Sequence, residues 1–193
     1  MNWLQHLFIA IALGIDTMVV MYHNTESIHI TPLRCIINAI LLSTIYLILA
    51  YSGIFIGELL QYSADYQQSP LLATNLYLFI GLTAVVCIKR IMKLFASRKK
   101  ETQKYDASKY TTLIALSMAS GLDIFLLYLG IGFITPNRAN TLSTLIPLFV
   151  CTLTLGYIGT LFERQKTPLR ITRWQILSLL IIITITVYII LSA

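Results

Sequence analysis

Two aspartates inside long apolar runs are the residues of this sequence best placed to do chemistry. Asp16 lies in the run 3–22 and Asp123 in the run 110–134, whereas the other acidic residues fall between runs or near their ends. A carboxylate at the centre of a membrane-spanning helix costs roughly 2.5–3.5 kcal/mol on insertion scales, so it normally faces a polar cavity or a partner. We expect no lysine or arginine at similar depth. The two carboxylates would then need either a bound cation or a proton on one of them.

Hydroxyl side chains near the two acids could complete an oxygen shell. They lie beside the aspartates or on the second and fifth apolar runs: Thr17, Ser120, Ser43, Thr44, Thr152 and Thr154. Sites made of oxygen alone suit Mg²⁺, Ca²⁺ or Mn²⁺ better than zinc or copper. Carboxylates also carry protons, so protons are available as a counter-ion. Two plainer interpretations stay open: hydroxyls that bond their own backbone, and an interhelical hydrogen bond between the aspartates with one of them protonated.

The composition predicts the elements that must hold these residues. Of the 193 residues, 57% are apolar and 11% are charged, and the mean hydropathy is +0.78. Soluble domains carry about 25% charged residues, so a water-soluble globule is excluded, as is a disordered chain. A helix crosses a bilayer with about 20 apolar residues. The sequence therefore predicts an all-α polytopic membrane protein with six transmembrane helices, at 3–22, 33–60, 71–94, 110–134, 142–162 and 174–191.

Two local patterns refine these helices. Pro147 is the one proline inside an apolar run, where it would kink the fifth helix. Gly53 and Gly57 form a G-x-x-x-G spacing on the second helix, which predicts a close contact with another helix.

The basic residues predict the orientation in the membrane. All but Arg138 of the 14 lysines and arginines lie at or after the ends of the first, third and fifth runs. The positive-inside rule then places these segments in the cytoplasm and both termini outside, in a multi-pass protein of the bacterial cytoplasmic membrane. The net charge of +6 sits in short segments between apolar runs. We therefore expect the lipid bilayer, and not nucleic acid, to be its partner.

A short sequence repeat surrounds the two aspartates. Ala12-Leu13-Gly14-Ile15-Asp16 and Ala119-Ser120-Gly121-Leu122-Asp123 share the pattern Ala-x-Gly-aliphatic-Asp. Each pattern lies on the first helix of a three-helix half, 1–97 or 110–193, and a basic linker at 98–109 joins the halves within a single transmembrane domain. Because three is odd, the halves would be inverted repeats, an arrangement in which transporters place a substrate site near the membrane midplane.

With these motifs the chain resembles the small six-helix manganese exporters of bacteria, within the lysine-exporter superfamily. The family carries similar Asp motifs on its first and fourth helices and often enters the second helix through Leu-Arg, as Leu33-Arg34 does here. The resemblance implies a divalent-cation exporter with Mn²⁺ as transported substrate and with no cofactor. Asp16 and Asp123 would bind the ion, and alternating access would move it. Manganese and the outward direction come from the resemblance alone.

Other functions stay open beside this one. Ser43 stands where the family often has Gln or Glu, and Lys89-Arg90-Ile91-Met92-Lys93 replaces glycines and an acid. An amino-acid or small-solute exporter of the same superfamily would need a deep arginine or lysine, which we do not expect here. A structural membrane protein without transport is a further alternative. We expect no enzyme, because the Gly-x-Gly-Asp motif of intramembrane aspartyl proteases is absent.

Overall fold

The computed structural model describes six α-helices. It covers residues 3–24, 31–65, 71–96, 110–134, 141–164 and 171–192. The helices are α1 Trp3–Asn24, α2 Pro32–Asp65, α3 Leu71–Ala96, α4 Tyr110–Ile134, α5 Thr141–Arg164 and α6 Ile171–Ser192. All six are long and apolar enough to cross a membrane by length and composition, as expected of a multi-pass membrane protein. The basic linker predicted at 98–109 lies outside the described residues.

The helix bounds follow the apolar runs to within a few residues. The largest difference is at α2, which has 34 residues and continues to Asp65, well beyond the roughly 20 that a bilayer requires. α5 continues as one helix through Pro147. The membrane interior offers no water to compete for backbone groups, so long helices of this composition satisfy their own hydrogen bonds.

Two pairs of parallel helices form the centre of the bundle. α1 packs most extensively on α5, and α2 packs most extensively on α4. Along the first pair, Gly14 lies against Cys151, and Gly159 lies against the backbone of Met18. The contacts advance in the same direction along both chains, so these two helices run parallel.

The second pair has the same construction. Gly121 lies against Tyr46, Gly53 against the carbonyl of Phe125, and Gly57 against Gly132. The predicted G-x-x-x-G contact is confirmed. Small residues at such crossings let two backbones approach closely, which is a main source of helix association in membranes.

The remaining helices lie at the edges of this centre. α3 packs on α4, and α6 packs on α1, to nearly the same extent. Of the hydrophobic span of α1, 72% is buried, against 22% for α3 and 28% for α6. The exposed faces of the bundle are apolar, as a lipid environment requires. α1 is therefore the central helix, and α3 contacts the bundle along a narrow face.

We predict that a methyl group at either glycine crossing destabilises the bundle. A Cβ at Gly53 would lie 2.7 Å from Phe125 O, and one at Gly159 would meet Met18 O. Because a backbone carbonyl cannot rotate away, Gly53→Ala and Gly159→Ala should each cost about 1–3 kcal/mol. The measurement is thermal unfolding of the purified protein in detergent.

Gly81→Ala is the matched control. Nothing lies within 4 Å of a Cβ at Gly81, so alanine there should be neutral or slightly stabilising because it favours the helix. Equal loss of stability in all three variants would contradict the close-packing explanation.

Candidate functional site

The carboxylates of Asp16 and Asp123 converge on one arginine. Arg90 Nη2 lies 3.5 Å from Asp16 Oδ2, and Arg90 Nε lies 3.8 Å from Asp123 Oδ2. The side chains of Arg90 and Asp123 are only 6% and 7% exposed. Two acids that are far apart in the sequence therefore share one buried cation.

A second base belongs to the same cluster. Lys89 Nζ donates a hydrogen bond of 2.6 Å to Asp123 Oδ1, while 42% of the lysine side chain stays exposed. The expectation that no lysine or arginine lies at the depth of the aspartates is wrong. The charge pattern had grouped both bases with the loop that follows the third span, whereas both lie within α3.

The depth of Arg90 follows from helix length. α3 continues to Ala96 and α1 to Asn24. At 1.5 Å per residue, Arg90 lies about 9 Å and Asp16 about 12 Å from these two helix ends. Position counted from the helix end would have signalled the pairing, because α1 and α3 finish at the same end of the bundle. We call this end of the bundle, where α1, α3 and α5 finish, the basic end.

A serine of α6 fixes the guanidinium. Arg90 Nη1 donates to Ser178 Oγ at 2.7 Å, and the Ser178 hydroxyl donates to Ala12 O at 2.8 Å. Ser178 is fully buried. This chain of hydrogen bonds ties α3 through α6 to the turn of α1 that precedes Asp16. Sequence reasoning missed Ser178, because serine in a membrane helix usually bonds its own backbone.

A tyrosine and a serine line the cluster from α2 and α4. Tyr46 is fully buried, and its hydroxyl is hydrogen-bonded to Ser120 Oγ. Both aspartates lie near enough to act electrostatically on this hydroxyl. Ser120 lies one helical turn before Asp123 and pairs with Tyr46, a residue that the sequence did not predict.

The other predicted hydroxyls differ in position. Thr17 and Ser43 are buried, and each donates to the carbonyl one turn earlier, Leu13 O and Ala39 O, at 2.8 Å. Thr44 is exposed on the outer face of α2 and donates to Ile40 O. The structure therefore does not bring Thr44 to the cluster.

The cluster as a whole is electrically balanced. Two carboxylates face one guanidinium and one ammonium, so the ionised groups sum to zero, which lowers the cost of burying each of them. Within the described helices, no group of three or more His, Cys, Asp or Glu side chains could hold a metal ion. A metal bound here would take the two carboxylates and complete its shell with hydroxyl, carbonyl or water oxygens.

A small cavity adjoins the cluster. It is lined by Asp16, Arg90, Leu94 and Gln175 and measures about 10 Å³, enough for one water molecule. Leu94 and Gln175 are close to the ends of α3 and α6 at the basic end. The cavity therefore lies on the basic-end side of the Asp16 carboxylate.

Comparison with known proteins gives no match: no family model, no curated protein and no solved structure matches the chain.

We predict that Ser178→Ala destabilises the protein by about 1–3 kcal/mol. The substitution leaves a buried guanidinium nitrogen and the carbonyl of Ala12 without their partner, and unpaired buried polar groups carry that cost. Thr184→Ala on the same helix is the control, because Thr184 is exposed and donates to Leu180 O one turn earlier. Thermal unfolding in detergent compares the two. Equal stability of both variants would show that Ser178 does not hold Arg90.

Proposed function

We propose that this chain exports a divalent metal cation, with Mn²⁺ as the expected cargo, across the bacterial cytoplasmic membrane. One observation carries the proposal: Asp16 and Asp123, at corresponding places in a repeated motif, already hold a cation between them in the form of Arg90. A carboxylate pair inside a membrane is unfavourable without a compensating charge. A pair that faces one buried cation meets the basic requirement of a cation-binding site.

The helix contacts support two inverted halves around this site. The contact of Gly14 with Cys151 has its counterpart in that of Gly121 with Tyr46. Likewise, the contact of Gly159 with Met18 corresponds to that of Gly53 with Phe125. Exchanging the first three helices with the last three thus preserves the main packing. In transporters built this way, rocking of one half against the other exposes a central site to each side alternately.

The donor atoms favour a hard cation. Oxygen ligands suit Mn²⁺, Mg²⁺ and Ca²⁺. Thr17 directly follows Asp16 in α1, and Ser120, bonded to Tyr46, lies one helical turn before Asp123 in α4. The choice of manganese, and of export, rests on the resemblance of the Asp motifs. With the basic end in the cytoplasm and both termini outside, the cavity beside Asp16 would receive the ion from the cytoplasm.

A specific observation favours a second candidate. An amino-acid exporter would bind the carboxylate of its cargo with a base and the amine with an acid. Arg90 is a base at the depth of the aspartates, which removes the main sequence-based objection to that function. The guanidinium is already neutralised by two carboxylates, however, so a cargo carboxylate would have to compete with both. We therefore place this candidate second.

The proposed function predicts that either aspartate is required for export. In an exporter-deficient bacterium grown with added Mn²⁺, the wild-type chain should lower cell manganese and restore growth. Asp16→Asn and Asp123→Asn should each retain about a tenth of that effect or less, because a charge-assisted ligand contributes about 1.5–3 kcal/mol. Cell metals are measured by mass spectrometry at matched membrane expression.

Glu58→Gln is the control for this experiment. Glu58 lies on α2 beside Thr141 and Leu142, outside the Arg90 cluster, so its neutralisation should leave export intact. Amino acids released into the medium are measured in the same cultures. Release of an amino acid with unchanged metals would support the second candidate. No change in either would identify a membrane protein without this transport.

A further inference from the structure

The cluster raises the question of what neutralises the two carboxylates once the cargo has left. A carrier must return empty through its conformational change, and two bare carboxylates inside an apolar bundle would oppose that step. Arg90 lies against both of them and is 6% exposed. Because it is covalently attached to α3, this cation cannot leave the protein with the cargo.

The contacts of Arg90 with its three partners differ in length. Its short bond, 2.7 Å, is to the neutral Ser178 hydroxyl. Its approaches to the carboxylates are 3.5 and 3.8 Å, longer than the 2.7–2.9 Å of strong charge-assisted bonds. Arg90 Nε makes no hydrogen bond within the described residues. The guanidinium is thus anchored on Ser178 and only loosely engaged by the acids.

A polar side chain lies on the basic-end side of the guanidinium. The water-sized cavity beside Asp16 and Arg90 is also lined by Gln175, whose amide oxygen could accept a hydrogen bond from a displaced guanidinium. Lys89 has a different route, because its side chain is already 42% exposed near the basic end of α3. A long lysine there can extend its ammonium toward the membrane surface.

We propose that Arg90 is a tethered counter-cation, which occupies the aspartate pair when the cargo is absent and is displaced when the cargo binds. Lys89 leaves Asp123 in the same step. One guanidinium and one ammonium carry the same total charge as one divalent cation, so the exchange keeps the carboxylates neutralised in both states. The empty carrier can then return without taking up another ion. This inference rests on the proposed function and specifies its substrate class as a divalent cation.

The test separates the return of the empty carrier from the movement of cargo. Purified protein is reconstituted into lipid vesicles, and ⁵⁴Mn²⁺ is followed in two modes. Net efflux runs from loaded vesicles into Mn²⁺-free buffer and needs the empty carrier to return. Exchange is measured with Mn²⁺ on both sides of the membrane, and it does not need the empty carrier to return. Binding of Mn²⁺ to the detergent-solubilised protein is measured by titration calorimetry.

For Arg90→Gln we expect net efflux to fall by about tenfold or more while exchange persists. The apparent affinity for Mn²⁺ should rise by about tenfold, because a competing cation has been removed. Arg90→Lys keeps the charge but not the forked geometry, so it should restore part of the net efflux. Arg173→Gln is the matched control, since Arg173 is exposed near the start of α6; it should change neither mode.

The alternative results are distinct. Loss of both modes with weaker Mn²⁺ binding in folded Arg90→Gln would assign Arg90 a structural role and overturn the proposal. Unchanged net efflux would overturn it as well. If Arg90→Gln does not yield folded protein, net efflux and exchange are compared in Arg90→Lys. The expected result is then reduced net efflux with preserved exchange. A wild-type chain that moves and binds no Mn²⁺ would instead refute the proposed function, and this inference with it.

Discussion

The buried charge of Arg90 is the constraint that ties α3 and α6 to the centre of the bundle. A single charge left unpaired in an apolar interior costs several kcal/mol, so the cluster is stable only when its members are assembled together. Those members come from α1, α3 and α4, and Ser178 adds α6. The span of α3 is only 22% buried. Its attachment therefore depends strongly on these polar contacts, in addition to its packing against α4.

The repeated Ala-x-Gly-aliphatic-Asp pattern links packing to chemistry on one helix. Gly14 and Gly121 each lie two residues before an aspartate, and successive α-helical residues are about 100° apart, so glycine and aspartate point to nearly opposite faces. The glycine face packs against the second helix of the other half. The opposite face then presents the carboxylate toward α3, where the bases lie. The same pattern thus brings the halves together and orients the acid.

The sequence predicts the helices well and the cluster only in part. Apolar runs locate all six helices because a membrane requires long, uninterrupted apolar segments, and G-x-x-x-G locates one crossing. Rotation about the helix axis is harder to predict, because α2 is apolar on every side and no amphipathic stripe fixes its orientation. Ser43 and Thr44 are neighbours, yet one is buried and the other exposed. Lys89 and Arg90 were read as topology signals because basic residues near a span end ordinarily are, although both fall inside the predicted run 71–94.

Lys89 and Arg90 give the two ends of the bundle different charges, although the main helix packing is nearly the same when the two halves are exchanged. α3 carries Lys89 and Arg90 near the basic end, whereas the corresponding far end of α6 reads Val187-Tyr188-Ile189-Ile190 and contributes no charge. Beyond the cluster, toward the opposite end, Tyr128, Phe79 and Leu148 are fully packed. Under the proposed mechanism the ion pairs therefore stabilise one of the two access states, the one in which Asp16 is reached from the basic end. A cargo that displaces Arg90 removes this bias, so cargo binding itself would supply the differential interaction that a change of access state requires.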